Sequence, residues 1–355
     1  MQAVTHDAYG SPDDLALRTI ARPRPGVHDV LIRVHAAALH LGDAFAVRGK
    51  PLPVRLVTGL FRPTPGVPGF DIAGVVEEVG RRVTRFAPGD AVFGASRGTC
   101  AEYAAASETR LALKPGNLTF EQAAAVPTSA LAALHGLRDA GGLQRGQTVL
   151  INGAAGGVGT FAVQIAKVMG AIVTGVCSGA NVDLVRSLGA DAVIDYTRED
   201  FTRGRHFDVV FDNVENRSLS DDRRALTARG TLVLNSGSEG KDGPLLRTLG
   251  RLLWPLAVSP FVRHNLRRYL STPNAADLGI LKELLEWGAI RPVVDRIFAL
   301  RETPAALRYI ETGHACGKVV IAVAGRRAAV CALPPNGVDA GRGAAPADLA
   351  APLNR

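Results

Sequence analysis

The sequence is poor in lysine and in aromatic residues, and it has no long apolar run. Only six lysines stand among its 41 basic residues, and aromatics make up 5% of the 355 positions. The net charge of +8 is therefore carried by arginine. The arginines are dispersed, whereas a nucleic-acid footprint needs basic residues clustered with aromatics. We read the arginine, with the abundant alanine and glycine, as coding bias first, and expect no nucleic-acid partner. No run reaches the roughly eighteen apolar residues of a helical membrane span. The N-terminus, MQAVTHDAYG, lacks the basic cap and apolar core of a secretory signal. The four cysteines, Cys100, Cys177, Cys316 and Cys331, form no CxxC pair. That fits a reducing compartment, here the cytoplasm, and gives no disulfide frame.

What is present is a soluble globular composition, 47% hydrophobic and 21% charged, long enough for two domains. Residues 1–125 read as a turn-rich β module. Asp29–Leu39 alternates Val30, Ile32 and Val34 with Arg33 and His35, a half-buried strand. Strands at Ile72–Val79 and Ala91–Phe93 follow, the second fed by the turn Pro88-Gly89-Asp90. Short strands with turns between them suggest a barrel-like module. Thr119 and Gln122 fit a capping box for a short helix that stops before Pro127.

From Thr128 onward the period changes. Thr128 or Ser129 can cap a helix through Leu137. Strands then fall at Val149–Ile151, Ile172–Cys177, Ala192–Tyr196, Phe207–Val214 and Gly230–Asn235, with a sixth at Arg267–Leu270. Helices lie between them at Thr160–Met169, Val182–Leu188 and Leu219–Ala228, and another covers Ala275–Trp287. This alternation makes a parallel sheet with right-handed crossovers. Residues 240–268 interrupt it with apolar sequence and spaced arginines. A membrane-surface helix is one reading, but Pro255 and Pro260 oppose one long helix. A subunit interface or a wall of the substrate cleft is favoured. Thr303-Pro304 starts a helix ending at Gly313, as cap and first-turn proline, and Lys318–Val323 is a strong strand. The tail after Gly325 has no periodicity and reads as disordered.

The stretch Thr148–Gly159, TVLINGAAGGVG, is a strand running into a small-residue loop, and a helical pattern follows it. That is the phosphate-binding unit of a dinucleotide fold. Gly156 lets backbone approach a pyrophosphate, Gly159 lets helix and strand pack closely, and the helix N-terminus offers N–H groups to the anion. Ala154 stands where the first glycine of GxGxxG belongs, and the flanking strand and helix restore the pattern.

The order of parts, together with AAGGVG at 154–159, LGADAVIDY at 188–196 and GHACGKVVI at 313–321, resembles the medium-chain dehydrogenase/reductase superfamily. Within it, these stretches look like the zinc-free quinone oxidoreductase branch, which includes the zeta-crystallin-like and reticulon-interacting oxidoreductases. The resemblance implies an α/β chain with a GroES-like β-barrel catalytic domain (1–125 and 289–325) and an inserted Rossmann domain with a doubly wound parallel sheet (126–288). Residues 326–355 are left as a tail. It also implies NADPH and a homodimer, often formed through the last strand of the cofactor sheet.

The expected phosphate contacts are Ala155, Gly156, Gly157, Val158 and Gly159. The second strand of the unit ends in Ser178, where an NAD enzyme usually carries an acid for the ribose hydroxyls. A serine hydroxyl can donate to a 2′-phosphate, and Asn181 can add a donor. Arg186 either neutralises that phosphate or lies on a solvated helix face. Tyr196 is a cofactor contact by the resemblance, or else a cap on the sheet edge. Asn213, Ser236 and Gly237 fall at strand carboxyl ends, where open parallel sheets bind ligands. Thr128 completes that set. His314, Ala315 and Lys318 match a family segment beside the nicotinamide, although Cys316 replaces an expected arginine.

Zinc relatives hold their metal with a Cys in the first loop and a His-Glu pair after the glycine at 69. Here that loop is His40-Leu41-Gly42-Asp43, and Phe70-Asp71 follows the glycine. Phenylalanine binds no zinc, so too few ligands remain for a three-ligand site. Without a Lewis acid, oxidising an unactivated alcohol is hard. Hydride transfer from NADPH to a quinone or an α,β-unsaturated carbonyl is easier, and the oxyanion formed needs only a proton. His40 is the candidate donor, or else it makes a loop hydrogen bond. Asp43 would orient it, and Phe45 would face nicotinamide or substrate. Two other readings stay open: an NADP-dependent alcohol dehydrogenase or aldehyde reductase, and a non-catalytic NADPH-binding protein associated with RNA or a complex.

Overall fold

The computed structural model describes residues 1–64, 66–235 and 263–324. Fifteen strands occur among them: β1 (Gln2–Thr5), β2 (Ala16–Thr19), β3 (Asp29–Leu39), β4 (Asp71–Val79), β5 (Ala91–Ala95), β6 (Tyr103–Ser107), β7 (Leu111–Leu113), β8 (Thr148–Asn152), β9 (Ile172–Cys177), β10 (Ala192–Asp195), β11 (Phe207–Asp212), β12 (Leu226–Leu234), β13 (Asn265–Arg268), β14 (Val294–Ala299) and β15 (Lys318–Ala322). The helices used below are α1 (Leu41–Arg48), α2 (Arg55–Thr58), α3 (Phe120–Ala124), α4 (Pro127–Leu134), α5 (Gly157–Val168), α6 (Val182–Ser187), α7 (Leu219–Arg224), α8 (Ala275–Glu286) and α9 (Thr303–Glu311). The chain divides into two compact units: residues 1–131 with 273–324, and residues 132–235 with 263–272.

The first unit is built on β3. Seven strands run β14-β15-β3-β4-β5-β7, with β6 also on β3. The alternation read in Asp29–Leu39 is real in its first half, where Val30, Ile32 and Val34 join Ile72, Val76, Val92 and Leu111 in one core. The register against β4 then slips between Val34 and Ala36. After the slip, Ala37 and Leu39 enter a second core with Val319, Ile321, Leu307 and Ile310. One strand thus feeds two cores. β15 pairs antiparallel with β3, Val319 opposite Leu39, so the chain's later part closes the sheet begun by its earlier part.

The second unit carries six parallel strands in the order β10-β9-β8-β11-β12-β13. Its core gathers Leu150, Val176, Ile194, Phe207, Val210, Leu232 and Leu266. The α/β class, the GroES-like sheet and the doubly wound parallel sheet expected from sequence are all present.

Several boundaries differ. Helix α5 begins at Gly157 and not at Thr160, because the glycines themselves take helical backbone. Helix α7 ends at Arg224 and β12 starts at Leu226, so residues expected as helix extend a strand. The sixth strand is Asn265–Arg268. The cap of α9 is Glu302, and Thr303 is its first residue, with a buried hydroxyl donating to Leu300 O at 2.7 Å. Helix α8 belongs to the first unit, although residues 273–288 were expected in the Rossmann domain. Asn117 Nδ2 donates to Leu285 O at 2.9 Å, tying α8 to the β module. The expectations for Ser236, Gly237, residues 240–262 and the tail fall outside the described residues.

Candidate active site

The glycine turn of the second unit follows β8. Gly153 takes φ +76°, so it supplies the left-handed bend that the motif's first glycine normally gives. Ala154 can then replace that glycine. Its methyl is accommodated because β9 carries Gly175 opposite, where an added Cβ would lie 3.0 Å from the Ala154 Cβ. At Gly159 a Cβ would lie 2.1 Å from Gly153 O, so helix and turn touch backbone to backbone. At Gly156 an added Cβ would meet, among the described residues, only Gly153 O at 3.4 Å, which leaves the turn open. Helix α5 starts after Gly156 without any side-chain cap. The N–H groups at its start are thus open to an anion. Ala155, Gly157 and Val158 sit on the same turn, and a dinucleotide diphosphate fits this cradle.

At the end of β9, Asn181 Nδ2 donates to Ser178 Oγ at 3.2 Å. The Ser178 hydroxyl proton therefore remains available to a phosphate oxygen. Arg186 lies 3.9 Å from Asp183 on an exposed face, which is the solvated-face reading. A residue missed from sequence stands here. Asp195, the last residue of β10, pairs in register with Cys177, and a Cβ on Gly179 would lie 2.7 Å from Asp195 Oδ2. Hydrogen bonds from Thr197 hold this carboxyl below its usual range, with help from Arg198. An ionised carboxylate thus lies one residue from Ser178, already engaged by the Thr197 N–H and hydroxyl at 3.0 and 2.7 Å. Tyr196 follows it, half exposed, its N–H donating to Cys177 O at 3.1 Å.

Amides and a tyrosine line the carboxyl ends of β8, β11 and β12. The Tyr269 hydroxyl donates to Asn235 Oδ1 at 2.6 Å, Asn235 Nδ2 to Asn213 Oδ1 at 2.7 Å, and Asn213 Nδ2 to Asn152 O at 3.1 Å. Asn152 Nδ2 donates to buried Asp212 at 2.8 Å. Of these only Asn213 was singled out from sequence. The others carry no motif; their signal is position, each ending or following a strand.

In the first unit, β3 runs into α1 through His40. The His40 N–H donates to Asp43 Oδ2 at 2.8 Å, and its Nδ1 lies 3.3 Å from the same oxygen. Asp43 is fully buried. Burial pushes its carboxyl up, and the nearby His40 opposes that shift. Its Oδ1 has no partner among the described residues. The imidazole stacks on Phe70, ring centroids 5.7 Å apart and nearly parallel at 8°. It fits because residue 42 is glycine: a Cβ there would lie 2.7 Å from His40 Cε1. Phe45 lies half-buried on the same helix. A small open pocket is lined by His6, Ala46, Thr58, Val67, Phe70 and Arg97, among others.

The residues at the zinc position do not fit the metal. His40 faces a hydrocarbon ring where a second ligand would stand, and burial pushes the Cys100 thiol up, against the thiolate form. No group of three metal-ligating side chains occurs among the described residues.

Lys318 requires a correction. It was expected to touch the cofactor, but its Nζ lies 3.0 Å from Asp71 Oδ2 and its side chain is buried. Asp71 Oδ1 accepts from the Thr128 N–H at 2.9 Å and from the Thr128 hydroxyl. Lys318 is thus linked to Thr128 through Asp71. The Thr128 hydroxyl proton is committed to Asp71, which leaves its oxygen an acceptor. His314 is exposed, its N–H donating to Thr312 Oγ1 at 3.3 Å, and Ala315 packs against the core of β15.

Known proteins share this architecture. Residues 26–136 match the model of the alcohol dehydrogenase GroES-like domain. Residues 188–321 match the model of the zinc-binding dehydrogenases. The chain is 35% identical to a 2-methylene-furan-3-one reductase of Solanum lycopersicum, over 90% of this chain and 79% of that one. It is 35% identical to the mitochondrial NAD(P)H oxidoreductase RTN4IP1 of Mus musculus, over 91% and 89% of the two chains. The quinone oxidoreductase structure from Coxiella burnetii superposes with a TM-score of 0.78 at 32% identity, covering 91% of this chain and 99% of that one. The chain is thus an oxidoreductase of the medium-chain dehydrogenase/reductase superfamily and belongs to its quinone oxidoreductase branch.

Proposed function

We propose that the protein is an NADPH-dependent, zinc-independent reductase that delivers hydride to a quinone or an α,β-unsaturated carbonyl. The observation that carries this reading is the open, uncapped turn at Gly156 with a donating serine at the neighbouring strand end. The diphosphate would lie over Ala155–Gly159. The 2′-phosphate would take the Ser178 hydroxyl and Asn181. Asp195 weakens that preference without reversing it, because Thr197 occupies one of its oxygens and Arg198 stands by as counter-charge. Tyr196, Asn213, Thr128, His314 and Ala315 would supply the remaining contacts, with Ser236 and Gly237 as sequence candidates. Two relatives carry reductase or NAD(P)H oxidoreductase in their names, the first as a 2-methylene-furan-3-one reductase.

Bound NADPH supplies the hydride. The chain supplies the proton and the shape. Asp43 holds the Nδ1 side of His40, and Nε2 has no partner among the described residues. His40 would donate the proton to the oxyanion or enolate from Nε2, with Asp43 fixing the orientation of the ring from the Nδ1 side. Phe70 forms a flat apolar wall beside the ring, and Phe45, one turn along α1, would offer another. Such a pocket suits a planar conjugated acceptor. None of the described cysteines, Cys100, Cys177 and Cys316, is in a disulfide, which fits work in a reducing compartment, the cytoplasm. β13 ends the parallel sheet with one edge unpaired among the described residues, which supports a homodimer formed there.

The test follows the hydride. Full-length protein is given NADPH deuterated on the nicotinamide ring and a panel of enones. Deuterium at the β-carbon of the product supports the reading. Product without label, or no product with any enone or quinone, refutes it.

A further inference from the structure

Residues 44–70 contain no acidic side chain and four basic ones, Arg48, Lys50, Arg55 and Arg62. Arg48 is bridged to Glu311. Lys50, Arg55 and Arg62 have no carboxylate partner among the described residues. Within this stretch, α2 and the loop after it hold large apolar side chains in solvent: Leu56 is 79% exposed, Val57 and Leu60 58%, and Phe61 88%.

That exposure is built. The Thr64 N–H donates to Thr58 O at 2.7 Å and closes the loop at its base. The Tyr9 hydroxyl lies 2.8 Å from Thr58 Oγ1 and donates to Gly59 O. Arg55 lies over the Tyr9 ring at 4.5 Å, and its Nε donates to Gly49 O at 3.0 Å. Thr58, Gly59 and Thr64 are thus tied inward, and the side chains of the tip, Leu60-Phe61-Arg62, are only apolar and cationic. A cluster of large apolar side chains on a soluble surface marks a place where something docks.

Charge selects the occupant. A second copy meeting this face across a two-fold axis would set the same basic, acid-free segment against itself, which repels. An anionic bilayer complements it: the apolar tip enters the headgroup boundary and the cations meet phosphates. We propose that the Leu56–Arg62 loop docks the protein on an anionic lipid surface. The pocket that includes Phe70 shares Thr58, Pro63 and Thr64 with this loop. On the reductase reading above, docking would bring that pocket to a membrane where apolar acceptors concentrate, but the docking itself does not depend on that reading.

The test is co-sedimentation of the full-length protein with phosphatidylcholine vesicles and with vesicles containing phosphatidylglycerol. The proposal expects binding to the anionic vesicles only, weakened by salt. Leu60→Ser with Phe61→Ser should reduce it about tenfold or more, since each buried methylene is worth about 0.8 kcal/mol. Arg62→Gln should reduce it about fivefold, the worth of one basic side chain at such a surface. These side chains touch no core, so thermal stability should hold and serves as the folding control. Absence of binding overturns the proposal, as does binding that the tip variants leave unchanged. Self-association, or retention of a specific protein partner, that the double variant abolishes would also overturn it.

Discussion

Lys318 Nζ lies 3.0 Å from Asp71 Oδ2, and both side chains are shut away from solvent. The two residues are 247 positions apart. The pair joins β15 to β4 and fixes Thr128 through the other carboxylate oxygen. Two charges in an apolar interior are stable together and costly apart. Lys318→Met or Asp71→Leu alone should each destabilise the protein by about 3–5 kcal/mol, and the double variant should recover much of that loss. Denaturant titration checks it. Additive losses in the double variant would show that the two side chains are not coupled.

Cofactor choice should turn on two strand ends. Ser178→Asp places a carboxylate where the 2′-phosphate is expected and should move selectivity toward NADH by about tenfold or more, one lost charge-assisted hydrogen bond being worth roughly 1.5–3 kcal/mol. Asp195→Asn removes the carboxylate beside Gly179 and should move it the other way. Equilibrium titration with each dinucleotide measures both. If NADPH still binds better after Ser178→Asp, Ser178 is not the phosphate contact.

Gly42 makes room for the His40 ring. In Gly42→Ala the new methyl would lie 2.7 Å from His40 Cε1, and the imidazole must turn. The expected result is a kcat lowered by about tenfold or more, as small misplacements of reacting groups cost that much. NADPH affinity should be unchanged. An unaltered kcat would leave His40 with its alternative role, a hydrogen bond that shapes the loop.

Asp222 gives the protein a pH dependence. Burial, with Asp212 beside it, pushes its carboxyl from 3.8 up to about 8, while Arg217 opposes and Asp221 and Glu215 add to the shift. The folded state therefore keeps a proton that the unfolded chain gives up between 3.8 and about 8. Stability from this group is full below that window, falls as pH rises through it, and is gone above it. Asp222→Asn should flatten the slope and stabilise the protein at the alkaline end by roughly 2 kcal/mol or more, since one pKa unit is about 1.4 kcal/mol. Melting temperature against pH is the readout. An unchanged slope would place the titration elsewhere.

The parts of this molecule that depend on local pattern were legible in its residues. Strand, turn and helix around Gly156 follow from periodicity and from glycines in a row, and Ser178 follows from counting to the end of the next strand. The capping box of Thr119 and Gln122 formed as expected. What stayed hidden depends on pairing between distant strands. Asp195 reaches Gly179 only because β10 aligns with β9 so that Asp195 meets Cys177. The family segment that Lys318 matches points to a cofactor contact, and nothing in the sequence links this residue to Asp71. The start of β12 was hidden because Leu226–Arg229, LTAR, is too short and mixed to show a strand period of its own.

Steady-state turnover of the full-length protein tests the central claim most directly, as NADPH oxidation with quinones, enones and aldehydes and as NADP+ reduction with alcohols, each before and after dialysis against a chelator. The account predicts turnover with quinones or enones that the chelator leaves intact. Turnover confined to alcohols and aldehydes, or abolished by the chelator and restored by zinc, would contradict it.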